Sequence, residues 1–511
     1  MLRDLTSTRT TLWRNRLQIV GGYGGLGILA AAGQAPLGWW PVSIVALSLL
    51  MYFLPGAGSA RAWGGRMWLA GTGYFGASLS WIIEPFMVQP EIHGWLAPFA
   101  LVGMSVGMAL FWAVAGWGAA RAASGRARLI ALASLLVLLE MSREWVLTGF
   151  PWAMLGHGLI GTPLMQLAAL TGAGGLSLVV LAAALFPVLG QAPGKRAAGA
   201  LASLILLGSL WVWGGARTDL PPDRDAVIRL VQPNVPQTEK WLEENIYLFF
   251  FRLLDLSSAP AEAPPALILW PETAVPFLLE YPGDGLEMMA NALSEHGPDA
   301  LLAFGVQRME DARFFNSLAV IDTQAELQAI YDKHHLVPFG EYVPVLGALL
   351  GEGYSGFAAQ QLLGYTPGAG PEVIDLGPLG KALPLICYEA IFPRHMRTEP
   401  RPDWIMKVTN DAWFGELTGP FQHLAQARLR AVEQGLPMLR VANTGVSAVI
   451  DARGGLGTTL ELGETGFIDA PIPGALPPTL YARLGDWPVL LVLLAVFGGA
   501  ALAGRARKPR E

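Results

Sequence analysis

Three polar residues stand directly after apolar runs that read as strands: Glu272 after "LILWP", Lys333 after "LQAIYD" and Cys387 after "ALPLI". A carboxylate, an ammonium and a thiol have complementary uses as base, oxyanion stabiliser and nucleophile. A free thiol is only a few per cent thiolate at neutral pH, so a nucleophilic cysteine needs a base within hydrogen-bond reach. A desolvated glutamate can supply one. In such a site Glu272 accepts the thiol proton, while Lys333 and the backbone N–H after Cys387 stabilise the charge that develops on an attacked ester or amide carbonyl. Residue chemistry alone leaves other readings open. Cys387, the only cysteine, could be a small buried hydrophobe, Glu272 a loop residue and Lys333 a surface charge.

These residues belong to a stretch built from short apolar runs alternating with polar helical segments. "AVIRLVQPNVP", "PALILWPETAVPF", "DALLAFGVQR", "NSLAVID", "GKALPLICYEAIFP", "DWIMKVTNDAWFG" and "LPMLRVANTGVSAVID" each read as a strand running into a loop. "EENIYLFFFRLLDLSS", "GLEMMANALSEHG" and "GPFQHLAQARLRAVEQG" read as the helices between them. Continuous apolar strands imply sheets covered by helices, hence an α/β domain of layered sheets and helices. Residues 345–370 are Gly-rich and apolar without a clear period, which predicts a mobile arm rather than a packed strand.

The rest of the chain is different in kind. Of 511 residues 53% are hydrophobic and only 14% charged, and nearly all long uncharged runs lie before residue 216 or after residue 486. An ordinary soluble domain carries about 25% charged residues. About 20 apolar residues cross a bilayer as a helix, and eight segments qualify: 17–33, 39–57, 66–83, 95–118, 129–147, 164–190, 197–215 and 487–504. The first is Gly-rich, which suits close helix packing in lipid. No cleaved signal peptide is expected, because no convincing small-residue cleavage site follows the first apolar run.

Lys and Arg gather in alternate loops: Arg3, Arg9, Arg14 and Arg16; Arg61 and Arg66; Arg121, Arg126 and Arg128; Lys195 and Arg196; and Arg505, Arg507, Lys508 and Arg510 at the end. The positive-inside rule makes that side cytoplasmic. The reading is then an N-terminal membrane domain of seven spans (1–217), an outer α/β domain (218–480), and a final span with a basic cytoplasmic tail (481–511). In a bacterium with two membranes the outer domain is periplasmic. Glu140 and Arg143, three apart, are expected to pair and hold the bundle together; Glu84, Glu91 and His93 read as interface residues. A net charge of -6 offers no basic surface for nucleic acid. One cysteine excludes an intramolecular disulfide and any multi-cysteine zinc site.

In order along the chain, "WPETAVPF", "DKHHLVPFGEYVP" and "ICYEAIFP" resemble the three signature blocks of the nitrilase (carbon-nitrogen hydrolase) superfamily. With seven spans before that domain and one after it, the chain resembles the apolipoprotein N-acyltransferase family in particular, and "VQPNVPQTEKW", "GFPWAMLGHG" and "KVTNDAWFG" also look like that family's blocks. The resemblance covers nearly the whole chain. It implies an αββα sandwich with Glu272 as general base, Lys333 as oxyanion-stabilising lysine and Cys387 as nucleophile. It also implies Glu341 and Glu389 as further functional glutamates, the backbone N–H of Tyr388 beside the nucleophile and Trp241 in a loop near the site. Glu341 is expected to orient Lys333, and Glu389 to order the nucleophile strand or touch substrate. Asn410, Asp411, Trp413, Arg428 and Glu433 read as structural.

The implied reaction carries an acyl chain from a phospholipid, phosphatidylethanolamine by resemblance, through a Cys387 thioester to the α-amino group of an apolipoprotein's diacylglyceryl-cysteine, without metal or cofactor. Its rivals are a membrane-tethered nitrilase or amidase in which water replaces the amine, a transporter or receptor with an outer binding module, and an acyltransferase with another amine acceptor.

Overall fold

A computed structural model describes residues 18–343 and 364–506. Arg3, Arg9, Arg14, Arg16, the tail from 507 and residues 344–363 of the expected arm therefore lie outside the described residues, as does the side chain of Arg505. The chain divides into two compact units, one comprising residues 1–86, 91–217 and 484–511, the other residues 87–90 and 218–483.

In the first unit each of the eight apolar segments carries a helix. These are α1 (Gln18–Ala31), α2 (Trp40–Phe53), α3 (Ala60–Ser78), α4 (Ala97–Ala122), α5 (Ala127–Ser142), α6 (Ala168–Leu189), α7 (Pro193–Gly215) and a last helix, Trp487–Ala506. Four helical stretches among the described residues, Pro90–Ala122, Pro163–Leu189, Pro193–Gly215 and Trp487–Gly504, are long and apolar enough to cross a membrane. The other helices are short, or polar in the case of α3. Helix α3 departs most from expectation. Its N-cap is Ser59, whose hydroxyl accepts from the Ala62 N–H at 3.2 Å, so the helix begins six residues before the apolar segment. Arg61 and Arg66, expected in a loop, therefore lie in its first two turns, and Arg66 donates to the Tyr23 hydroxyl at 3.1 Å.

The glycines of α1 do permit close packing: a Cβ on Gly27 would fall 1.9 Å from the Ala70 carbonyl oxygen of α3. Glu140 and Arg143 approach each other at 3.9 Å but chiefly hold the segment "WAML". The Leu155 N–H donates to Glu140 at 3.1 Å, and Arg143 donates to the Trp152 carbonyl at 2.8 Å. Glu91 is exposed; Glu84 and His93 are half-buried.

The second unit holds two six-stranded sheets. Strands β1 (Val227–Gln232), β2 (Leu267–Leu269), β3 (Leu301–Glu310), β4 (Arg313–Ile321), β5 (Leu327–Asp332) and β12 (Gly466–Pro471) form the first, in the order β12-β1-β2-β3-β4-β5. Strands β6 (Ile374–Asp375), β7 (Lys381–Ile386), β8 (Trp404–Thr409), β9 (Met438–Ala442), β10 (Ser447–Ile450) and β11 (Leu456–Leu460) form the second, in the order β11-β10-β9-β8-β7-β6. Each sheet has three central parallel strands, β1-β2-β3 and β7-β8-β9, with antiparallel strands outside them.

Helices α8 (Ile246–Ser258) and α9 (Gly285–Ser294) cover the first sheet. Phe250, Leu253, Met289 and Leu293 pack on Ile268, Trp270, Leu302 and Phe304. Helix α10 (Gly419–Gln434) covers the second, where Leu424, Ala427 and Ala431 meet Leu383, Ile405 and Met438. Across the two sheets Gln232 and Ser447 are joined by hydrogen bonds of 2.5 and 3.1 Å. Burial on both faces explains why the central strands are largely apolar, although Arg229, Gln232, Lys407 and Arg440 are buried among them. Strands β6, β11 and β12 carried no such signal in the sequence.

The described end of the expected arm is anchored. Thr366 N–H donates to the Phe314 carbonyl at 2.7 Å and Gly368 N–H to the Lys333 carbonyl at 2.9 Å. These bonds run its backbone along β4 and the loop after β5.

Arg229 of β1 is fully buried and ties three segments together. Its guanidinium donates to both Asp469 oxygens at 2.8 and 2.7 Å, and to the carbonyls of Leu256, Ser257 and Ala259 at the C-terminus of α8. A cation there also meets the negative end of the helix dipole. Replacing it by methionine leaves Asp469 and those carbonyls unanswered, and the expected loss is about 3–5 kcal/mol. Thermal unfolding of purified Arg229→Met in detergent should show a clearly lowered midpoint; a midpoint equal to wild type would contradict this role.

Candidate active site

Four strand ends converge. Glu272 follows β2 by way of Trp270 and Pro271, Lys333 follows β5 at once, Cys387 follows β7 at once and Asn410 follows β8 at once. The Glu272 turn lies against β3 so closely that a Cβ on Gly305 would fall 2.4 Å from the Thr273 nitrogen and 2.6 Å from Glu272 Cα. Only glycine allows that approach.

Lys333 is 1% exposed and its Nζ donates to Glu272 Oε1 at 3.1 Å and Glu341 Oε1 at 3.0 Å. Asn316 of β4 bridges the same two oxygens at 2.8 and 2.9 Å. The second oxygens are held by backbone: the Asn410 N–H donates to Glu272 Oε2 at 3.0 Å and the Val337 N–H to Glu341 Oε2 at 2.7 Å. Burial alone raises the Glu272 carboxyl, but the charge of Lys333 and the bonds from Asn316 and Lys333 outweigh it, leaving Glu272 below its ordinary value. Glu341 is pushed up, by burial first and by the charge of Glu272, against the pull of Lys333. Burial disfavours the Lys333 cation, yet the two carboxylates hold its pKa well above the ordinary value, so it stays charged.

Cys387 is buried and adopts φ 51°, a left-handed conformation that a side chain adopts only under constraint. Burial pushes its thiol well up from the ordinary value; Glu272 adds to the rise, while Lys333 opposes it. The resting pair is thus a thiol beside a carboxylate. Behind the thiol lies a second buried cluster. The Thr409 hydroxyl is in hydrogen-bond contact with it and donates to Asp411 Oδ1 at 2.9 Å. Asp411 also binds Arg440, and its Oδ1 is 2.9 Å from His423 Nδ1. His423 Nε2 faces Lys407 Nζ at 2.8 Å and the Cys387 carbonyl at 3.1 Å. Burial and the neighbouring Arg440 push Lys407 far down, whereas Arg440 and His423 overcome burial to hold Asp411 below the carboxylate range.

Glu389 is fully buried, and its hydrogen bonds go elsewhere than to the thiol or Lys333. It accepts from the Ile386 N–H at 2.7 Å, just before Cys387, and from the His334 N–H at 2.8 Å, just after Lys333, with the Tyr331 hydroxyl at 3.0 Å. Its geometry is that of a clamp between the two strand ends. Tyr388 is buried, its ring 5.7 Å from that of His335. Trp241 and Lys240 lie on the wall of a pocket that Glu272, Phe249, Val275 and Asn443 also line. Arg428 and Glu433 make structural contacts, Arg428 with the Gly454 carbonyl at 2.7 Å and Glu433 with Arg430 at 3.1 Å.

The sequence reading missed Asn316, Lys240, Lys407, His423 and Arg440. "KVTNDAWFG" held Lys407 and Asp411 in view, and the polar residues of "GPFQHLAQARL" could have drawn attention to His423 on the buried face of α10.

Compared with known proteins, residues 26–186 match the family profile described as the apolipoprotein N-acyltransferase N-terminal domain, and residues 228–476 match the one described as carbon-nitrogen hydrolase. Among similar curated proteins, the apolipoprotein N-acyltransferase of Caulobacter vibrioides is 39% identical over 92% of this chain and 91% of its own length. That of Bradyrhizobium diazoefficiens is 37% identical over 92% of each, and that of Allorhizobium ampelinum 38% identical over 94% of this chain and 95% of its own length.

The cluster behind Cys387 sets a pH dependence. Burial lowers His423 to about 4 from an ordinary 6.5; outside that cluster, beside Glu389, burial with its neighbours His334 and His335 lowers His395 to about 2. Between pH 4 and 6.5 the unfolded state binds more protons at His423 than the folded state does, so this histidine's contribution to stability rises with pH there and is lost as pH falls through that window. Thermal midpoints measured across it should fall on acidification, and His423→Gln should flatten part of the slope. An unchanged slope in that variant would show that His423 is not held neutral.

Proposed function

This chain belongs to the apolipoprotein N-acyltransferase family and is an acyltransferase; on that premise we propose that it transfers an acyl chain from a phospholipid, through a thioester on Cys387, to the α-amino group of the N-terminal diacylglyceryl-cysteine of apolipoproteins. The observation that carries this reading is the contact of Glu272, Lys333 and Glu341 in one buried network beside the Cys387 thiol.

In the first half-reaction Cys387 Sγ attacks the ester carbonyl carbon as its proton passes to Glu272. The oxygen turns negative within reach of Lys333 and the Tyr388 backbone N–H. Lys333 has three N–H donors, two of them spent on Glu272 and Glu341, which leaves the third for that oxygen. The carbon–oxygen bond then breaks, and Glu272 returns the proton to the departing glyceryl oxygen, releasing a lysophospholipid. In the second, the neutral α-amine attacks the thioester carbon, Glu272 takes a proton from nitrogen, the carbon–sulfur bond breaks and that proton restores the thiol. Because the resting thiol pKa is raised, proton transfer accompanies attack rather than preceding it. Glu341 and Asn316 orient Lys333 and Glu272, and Glu389 holds the nucleophile strand.

Phosphatidylethanolamine is the donor in this scheme. Both substrates are lipids, and a site served from the bilayer surface spares an extraction cost of about 0.8 kcal/mol per CH₂. The eight helices are taken as eight spans of the bacterial inner membrane, with residues 218–480 periplasmic between two membrane portions, 1–217 and 481–511, and both termini cytoplasmic. The clustering of Lys and Arg in and beside alternate connections between helices supports that orientation.

Intact mass of purified protein incubated with phosphatidylethanolamine should show a hydroxylamine-labile acyl adduct, lost in Cys387→Ala. A diacylglyceryl-peptide should discharge it as an amide. No adduct, or one that persists without Cys387, would overturn the thioester, and free fatty acid as the main product would make the protein a hydrolase. Lys333→Ala should slow adduct formation about 100-fold or more, as loss of an oxyanion donor does elsewhere.

A further inference from the structure

The pocket beside Glu272 contains one group that the mechanism leaves unused. Lys240 is 8% exposed and lines this pocket, which is otherwise walled largely by Ile246, Phe249, Leu253 and Val275. Its polar neighbours there are already engaged. Asn443 donates to the carbonyls of Val235 and Asn410's side chain at 2.8 and 2.9 Å and accepts from the Val235 N–H at 3.0 Å. Both Glu272 oxygens are bound by Lys333, Asn316 and the Asn410 N–H. Lys240 Nζ makes one long hydrogen bond, 3.5 Å to the Glu272 carbonyl, and lies 5.4 Å from the Trp241 ring centre. Among the described residues no carboxylate lies within ion-pair distance of it.

A buried ammonium with hydrogen-bonding capacity to spare is costly unless an anion answers it. Resting on the acyl-transfer reading, we propose that Lys240 binds the phosphate of the acyl donor, so that the pocket beside Glu272 is a phosphodiester subsite. A phospholipid carries that phosphate a few bonds from the ester under attack, and the apolar walls suit the glyceryl carbons between them. Trp241 covers the cation with a π face, which tolerates charge without neutralising it. Burial, partly opposed by Glu272, lowers Lys240 to about 8, so it is mostly charged at neutral pH and loses that charge just above it. Donor recognition therefore weakens as pH rises through about 8.

Two lipids of equal chain length separate the phosphate from the acyl chain: lysophosphatidylethanolamine and monoacylglycerol. In the full chain carrying Cys387→Ala, adding Lys240→Met should weaken lysophosphatidylethanolamine binding about tenfold or more, the scale of a charge-assisted hydrogen bond, and leave monoacylglycerol binding unchanged. Lys240→Arg, which keeps the charge, should recover most of the loss. In the otherwise unaltered enzyme Lys240→Met should raise KM for phosphatidylethanolamine more than it lowers kcat. Equal weakening of both lipids would assign Lys240 to the pocket's structure, and no weakening of either would remove it from recognition. Inorganic phosphate binding as tightly as lysophosphatidylethanolamine would make this a free-anion site. Each of these results overturns the proposal. Failure of the acyl-transfer reading shows separately, as the absence of an acyl adduct in the unsubstituted enzyme.

Discussion

A single ammonium buried between two carboxylates governs the second unit. Dehydrating Lys333 costs several kcal/mol, and dehydrating Glu272 and Glu341 costs as much again for each. The three are tolerable only together, with Asn316 and two backbone N–H groups saturating the remaining oxygens. That condition fixes geometry across both sheets. Lys333 and Glu272 come from the first, the Asn410 N–H from the second, and the Glu389 carboxylate of the second sheet accepts the N–H groups that follow Lys333. Removing any member leaves a charge or donor unanswered, so the network specifies how these strand ends meet.

Much of this was legible beforehand, and the limits have physical causes. A residue that ends an apolar run is visible in one dimension, which is why Glu272, Lys333 and Cys387 stood out. Asn316 did not, because it sits within β4 and acquires its role only through register, where Ser317 faces Asp332 and so sets Asn316 beside the residue that follows. His423 is likewise brought to Asp411 by a helix packing on a sheet, and Arg440 by the pairing of β9 with β8. Length and hydropathy located the eight helices but misplaced the start of α3, since a serine N-cap can recruit arginines that hydropathy assigns to a loop. Strands β6 and β11 are short or exposed, and neither leaves a periodic signature.

The backbone pays for placing the nucleophile. Cys387 at φ 51° and Thr273 at φ 48° both occupy the left-handed region, one at the thiol and one directly after the carboxylate. Each costs on the order of 1–3 kcal/mol. The Glu389 bond to the Ile386 N–H and the approach of His423 to the Cys387 carbonyl hold the first of these turns. Gly305 makes room for the second. The cluster of His423 and Asp411 is thus joined to the site twice, through the Cys387 carbonyl and through the Thr409 hydroxyl beside the thiol.

Strand β12, the last of the domain, pairs antiparallel with β1, the first, from Val227 opposite Pro471 to Gln232 opposite Gly466. During synthesis the ribosome delivers β1 more than two hundred residues before its outer neighbour. Through that interval the N–H and C=O groups along one side of β1 have no strand to bond, an open edge of the kind that recruits other chains. Closure waits for one of the most distant pairings in the domain, and long-range pairing is slow. The nascent domain therefore has a vulnerable period, ended only when β12 emerges shortly ahead of the final helix.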